Sequence, residues 1–141
     1  MARQTPVADA PQALRIVLGR LVRKLRASDS VPLRLATVLA RLDREGPLTT
    51  SELAALERMR PQSMAETVQE LAADGLVEKR ADPGDGRRQL VSPTPRGRAV
   101  LAESRRRRED WLASAIAERL SARERETLAE AIALLERLAE D

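Results

Sequence analysis

Asp82-Pro83-Gly84-Asp85-Gly86 is the densest turn chemistry in the chain. Proline presets one backbone angle, glycine admits left-handed conformations, and an Asp side chain bonds its own backbone two residues on, so the chain doubles back here. Leu76-Val77-Glu78-Lys79-Arg80 before the turn alternates loosely, and Gln89-Leu90-Val91-Ser92 after it reads as a returning strand. The pattern predicts a two-stranded hairpin with a tight loop and basic flanks.

Around the hairpin the apolar residues recur at helical spacing. Residues 1–11, with Pro6 and Pro11 among small and polar side chains, read as a flexible arm. A first helix from Gln12 carries Leu14, Leu18, Leu21 and Leu25, widened by Val17 and Val22, until Ser28-Asp29-Ser30 breaks it. Pro32 opens a second helix with Leu35, Val38, Leu39 and Leu42 on one stripe, and Gly46-Pro47 stops it. Thr49-Thr50-Ser51-Glu52 has the spacing of a capping box for a short third helix with Leu53, Ala54 and Leu56 facing inward. Pro61 starts a fourth, with Met64, Val68 and Leu71 on its inner side and Gly75 as its cap. Thr94-Pro95 opens a fifth that runs to about Leu120, although Glu103 to Asp110 contains no apolar residue. Ser121-Ala122-Arg123-Glu124 is a second capping box, and Leu128, Ile132, Leu135 and Leu138 mark the last helix.

Composition narrows the chemistry. Among 141 residues there is no His, Cys, Phe or Tyr, and Trp111 is the sole aromatic. Without Cys there is no disulfide, thiolate metal site or thiol sensor, and without His no imidazole base or ordinary transition-metal site. No catalytic constellation, metal site or cofactor is expected. No apolar run approaches a membrane span and no signal peptide is visible, so the default is a cytoplasmic protein without a membrane partner. The net charge is only +3, which makes the placement of charge matter more than its sum.

Helix, short helix, capped helix and two-stranded hairpin, in that order, describe a winged helix-turn-helix. The short third helix braces the fourth, which lies in the major groove of DNA, and the hairpin is the wing. The expected fold is mainly α with a small β-hairpin wing. Residues 31–94 form the DNA-binding domain, and 12–30 with 95–141 a helical dimerisation lobe. From Leu33 to Gly97 the chain resembles the MarR family of bacterial transcriptional regulators. Leu48-Thr49-Thr50-Ser51-Glu52-Leu53-Ala54, Pro61-Gln62-Ser63-Met64 and Leu71-Ala72-Ala73-Asp74-Gly75-Leu76-Val77 carry the likeness. The wing Asp82-Pro83-Gly84-Asp85-Gly86-Arg87-Arg88 and the following Thr94-Pro95-Arg96-Gly97-Arg98 are its most specific parts, and the flanking helices extend it over nearly the whole chain. Pro93 departs from the family, which usually has an aliphatic residue there, and is expected to shorten the second wing strand.

On the fourth helix the spacing turns Gln62, Ser63, Glu66, Thr67 and Gln69 away from the core. Gln62 suits adenine, and Ser63 and Thr67 suit several bases or a phosphate. Arg60 can reach guanine or phosphate; Glu66 has to accept from cytosine or pair with an arginine. Thr49, Thr50 and Ser51 serve either as a plain cap or as phosphate donors. Arg87 is the minor-groove candidate, with Arg88 beside it and Lys79 and Arg80 at the wing base. For Asp85 the resemblance implies a salt bridge that orients a wing arginine. Arg105 to Arg108 reads as a solvated, salt-bridged helix middle in preference to a polybasic DNA patch.

The first and last two helices have apolar stripes without neighbours in sequence. Two copies bury them better than one, which predicts a homodimer through Leu14, Leu18, Trp111, Ile116, Leu128, Ile132 and Leu135, reading a palindromic operator in double-stranded DNA. The resemblance further implies a small organic ligand. Val17, Arg20, Leu21, Leu35 and Val100 would form an apolar wall with an arginine for an organic anion, or are ordinary core and surface. The reading is a sequence-specific regulator, a repressor in preference, whose DNA binding a small ligand relieves. The alternative is a winged-helix module for protein interaction or non-specific DNA binding, without ligand response.

Overall fold

The computed structural model describes residues 6–29 and 31–140. A 3-10 turn Val7–Asp9 leads into α1 (Ala10–Ala27). Then come α2 (Leu33–Glu45), α3 (Thr50–Leu56), α4 (Pro61–Ala73), β1 (Val77–Asp82), β2 (Asp85–Pro93), α5 (Pro95–Arg119) and α6 (Ala122–Ala139). Ordered helix therefore begins at Ala10, inside the stretch read as an arm, because Pro11 fits the first turn of a helix where its missing N–H costs nothing. Residues 1–5 of that arm and Ser30 of the first break lie outside the described residues.

The chain divides into two compact units: Asp29–Arg106, and Met1–Ser28 together with Arg107–Asp141. The boundary falls within α5, not at its start as the sequence suggested. The first unit owns the core. Leu35, Val38, Leu39 and Leu42 of α2 meet Leu53 and Ala54 of α3, Met64, Val68 and Leu71 of α4, Leu76, Val77, Val91 and Leu101. In this unit the stripes expected for α2, α3 and α4 are buried save one residue: Leu56, in the last turn of α3, is 46% exposed. The helix ends there. Arg58 then takes a left-handed conformation (φ 52°) on the way to α4.

β1 and β2 pair antiparallel, Val77 opposite Pro93 and Ala81 opposite Gln89. Both strands are longer than the alternation suggested, since Asp85 and Gly86 belong to β2 and only Pro83 and Gly84 remain in the turn. Pro93 does not shorten β2. It is the terminal residue, where a missing ladder donor matters least. Leu48, just before α3, bridges Val91 on both sides (Leu48 N to Val91 O 3.1 Å, Val91 N to Leu48 O 2.7 Å), tying the start of α3 to the wing.

The passage from wing to α5 is fixed by Thr94. Its hydroxyl donates to the Gly75 carbonyl (2.6 Å) and accepts from the Gly97 N–H (3.0 Å), which caps α5. Gly97 lies so close to the backbone of Leu76 that a Cβ there would sit 2.0 Å from its carbonyl oxygen. In the second unit α1 and α6 bury no residue completely.

Candidate nucleic-acid interface

α3 begins with a complete capping box. Thr49 Oγ1 accepts from the Glu52 N–H (3.1 Å), and Glu52 Oε2 accepts from the Thr49 N–H (2.8 Å). The second carboxylate oxygen of Glu52 does something the local pattern does not announce. Oε1 accepts from Nη2 of Arg88 on the wing at 2.6 Å. Asp82 Oδ2 stands 3.9 Å from Arg88 Nε on another side. Two hydrogen bonds from Thr49, the N–H foremost, and then the charge of Arg88 hold the Glu52 carboxyl below its ordinary value of 4.5.

The wing arginines sit in an irregular stretch of β2. Asp82 pairs with Asp85 and Ala81 with Gln89, so Gly86, Arg87 and Arg88 have no residue opposite them. Such a bulge bends the strand and re-aims its side chains. Asp85 shapes this bulge through its backbone: its Oδ1 accepts from the Arg87 N–H at 3.0 Å. The salt bridge that the resemblance implied for Asp85 is instead made to Arg88 by Glu52 and Asp82. The Arg87 guanidinium is exposed and, among the described residues, has no ion-pair partner. Thr49, Thr50, Ser51, Glu52, Arg87, Arg88 and Gln89 together line an open cleft of about 580 Å³.

Arg60, Gln62, Ser63, Glu66 and Gln69 are all exposed on or just before α4. Thr67 is not: it is 2% exposed, and its hydroxyl donates to the Ser63 carbonyl at 2.9 Å. The correction has a simple reason. Residues 64, 67, 68 and 71 form one i, i+3, i+4, i+7 stripe, and a threonine that bonds its own helix backbone can join an apolar face. Thr67 therefore leaves the DNA-facing set. α4 is held by the core beneath it and by an ion pair between Arg34 of α2 and Glu70. α3 is held by Glu57, at its C-terminus, bonded to Arg41 Nε at 2.6 Å. Sequence reasoning missed Glu52 as a wing partner, Asp82 and Glu57. Glu52 and Glu57 pair with residues distant along the chain and Asp82 with one across its own hairpin, and only the acidic character of the three was visible.

Of the polybasic run, Arg105 pairs with Asp43 of α2 at 3.1 Å and Arg106 pairs with Glu103. The residues of the candidate ligand wall fall on both units. Leu35 is a core residue of the first unit and Val100 packs against that core. Val17, Arg20 and Leu21 belong to the other unit, where they line a concavity of about 440 Å³ with Lys24, Trp111, Ile116, Arg119 and Leu128. Of the expected dimer residues, Leu18 and Ile132 are exposed, and Leu14, Trp111, Ile116, Leu128 and Leu135 half-buried.

A family model described as MarR family matches residues 30–88. An HTH-type transcriptional regulator of Mycobacterium tuberculosis (strain CDC 1551 / Oshkosh) is 38% identical over 125 residues, 86% of this chain and 87% of the relative. A crystal structure of a Pseudomonas aeruginosa protein described as a transcriptional regulator has a TM-score of 0.84 and 38% identity, covering 97% of this chain and 99% of that one. A MepR mutant of S. aureus bound to an oligodeoxyribonucleotide shares the fold at a TM-score of 0.70 and 15% identity, over 93% of this chain and 98% of that one.

Proposed function

The chain belongs to the MarR family of winged helix-turn-helix transcriptional regulators, and from that premise we propose that it works as a homodimeric repressor reading a palindromic operator. That it is a DNA-binding regulator and not an enzyme follows from the family; the dimer, the operator symmetry and the sign of regulation are our reading. The observation that carries it is the set of exposed polar residues at the start of α4, Arg60, Gln62, Ser63 and Glu66, on the same unit as a wing whose bulge presents Arg87. In this reading Gln62 and Ser63 contact base edges, Thr50 and Ser51 contact phosphate beside the cap, and Arg87 enters the minor groove. The S. aureus relative bound to an oligodeoxyribonucleotide supports the fold's suitability for DNA.

Dimerisation is supported by the apolar surface that α1 and α6 leave open: Ile16, Leu18, Val22, Ile132, Leu134 and Leu138 are all exposed in one chain. A two-fold protein of this kind reads two half-sites about one helical turn apart. A second element of the proposal is a small organic anion in the α1–α5–α6 concavity, where Arg20, Lys24 and Arg119 stand beside an otherwise apolar lining. The test is binding to the intergenic DNA beside its own gene, by anisotropy and footprinting, over a salt series. Protection of a symmetric sequence, lost when one half is scrambled, is the expected result. Equal affinity for the scrambled duplex would replace this reading with a non-specific or protein-binding winged helix.

A further inference from the structure

Glu52 stands where two structural tasks meet. One oxygen completes the cap of α3 and the other holds Arg88, 36 residues away. Capping fixes the carboxylate's orientation, so the pair escapes much of the side-chain entropy that makes most exposed ion pairs weak. Asp82 contributes a second negative charge on the Nε side of the same guanidinium. The neighbouring Arg87 is exposed in the same bulge. Two adjacent arginines are thus put to different uses by the carboxylates around one of them.

We propose that Glu52 is a specificity-determining positioning residue. By holding Arg88 against the start of α3, it leaves Arg87 as the cation that the bulge offers to DNA and keeps the grip on arbitrary sequence low. The inference rests on the DNA-binding reading of the wing. A phosphate contact adds affinity without sequence information and steepens the salt dependence. Two wing arginines on phosphate would raise binding everywhere and narrow the margin between operator and bulk DNA. The clasp withholds one of them.

Glu52→Gln separates the two tasks. A glutamine still supplies an oxygen to the Thr49 N–H, as capping boxes allow, but lacks the charge that retains Arg88. Binding of a labelled random-sequence duplex is measured by anisotropy over a salt series for the wild type, E52Q, R88A and the double variant, each checked for a retained cooperative melting transition. E52Q is expected to bind about eightfold more tightly at 0.1 M salt, with a log–log slope steeper by about 0.9, the value for one added phosphate. In the R88A background the same substitution should leave the slope unchanged. Asp82→Asn, which keeps the oxygen that accepts from the Gly84 N–H (2.9 Å), should shift binding the same way by less, and serves if E52Q folds poorly. An unchanged slope in E52Q and D82N, or a slope change that persists without Arg88, overturns the proposal. A wild type that binds no duplex even at low salt defeats the DNA-binding reading and takes this one with it.

Discussion

At Gly97 the fold depends on one missing methyl group. The first turn of α5 crosses the Leu76 carbonyl at a distance that leaves no room for a side chain, and the obstacle is backbone that cannot rotate away. Gly97→Ala should therefore destabilise the Asp29–Arg106 unit by about 1–3 kcal/mol, the range of overpacking in a fixed environment. Chemical denaturation would read this as a lower midpoint with the slope preserved. Arg87 is the contrasting residue: its guanidinium is exposed and, among the described residues, has no ion-pair partner. Arg87→Ala should leave the denaturation curve in place while weakening operator binding about tenfold, the loss expected for one arginine contact of 1–3 kcal/mol. Unaltered affinity at moderate salt would remove Arg87 from the interface.

Among the elements, α3 and α6 share a device: each opens with a capping box whose glutamate accepts from its own cap residue. Glu52 and Glu124 consequently hold their protons less tightly in the fold than in the unfolded chain, chiefly because a backbone N–H of the cap residue donates to each. A carboxyl lowered in this way contributes stability fully above its ordinary value of 4.5. That contribution is lost as the pH falls through the lower folded value. As the pH falls below the ordinary carboxyl value of 4.5, the stability of the wild type should fall more steeply than that of an E52Q/E124Q variant. Parallel pH profiles of the two would refute the assignment. Both boxes were legible in the sequence because a cap is a four-residue pattern, as is the prolines' place at the starts of α4 and α5. The stripe of α4 was legible in part. Met64, Val68 and Leu71 declare themselves, whereas Thr67 hides its burial because a hydroxyl looks polar until its bond to Ser63 is seen. The Glu52–Arg88 pair was illegible: each half looks complete locally, one as a cap and the other as a surface cation, and only the antiparallel return of β2 brings them together.

At the scale of the whole chain, the Asp29–Arg106 unit has a core of its own, and the helices outside it do not. That contrast was foreshadowed by apolar stripes lacking neighbours in sequence, but the division point within α5 was not, since a helix gives no local sign of where its packing partners change. The open faces of α1 and α6 lead to a prediction at this scale. Leu18→Glu combined with Ile132→Glu should convert a dimer to a monomer in sedimentation at micromolar concentration, while the melting of the winged unit persists. A wild type already monomeric there would refute the dimer.

Trp111 lends that experiment an optical handle. It is the chain's sole aromatic side chain, half-buried in the wall of the α1–α5–α6 concavity. All indole emission of the protein therefore originates from one point in the lobe. A blue shift as protein concentration rises would report the second copy covering that wall, and quenching at fixed concentration would report a small molecule entering it. Unfolding of the wing, which holds no fluorophore, would leave the light unchanged unless the two units lose structure together, so one emission trace can tell independent melting from concerted melting.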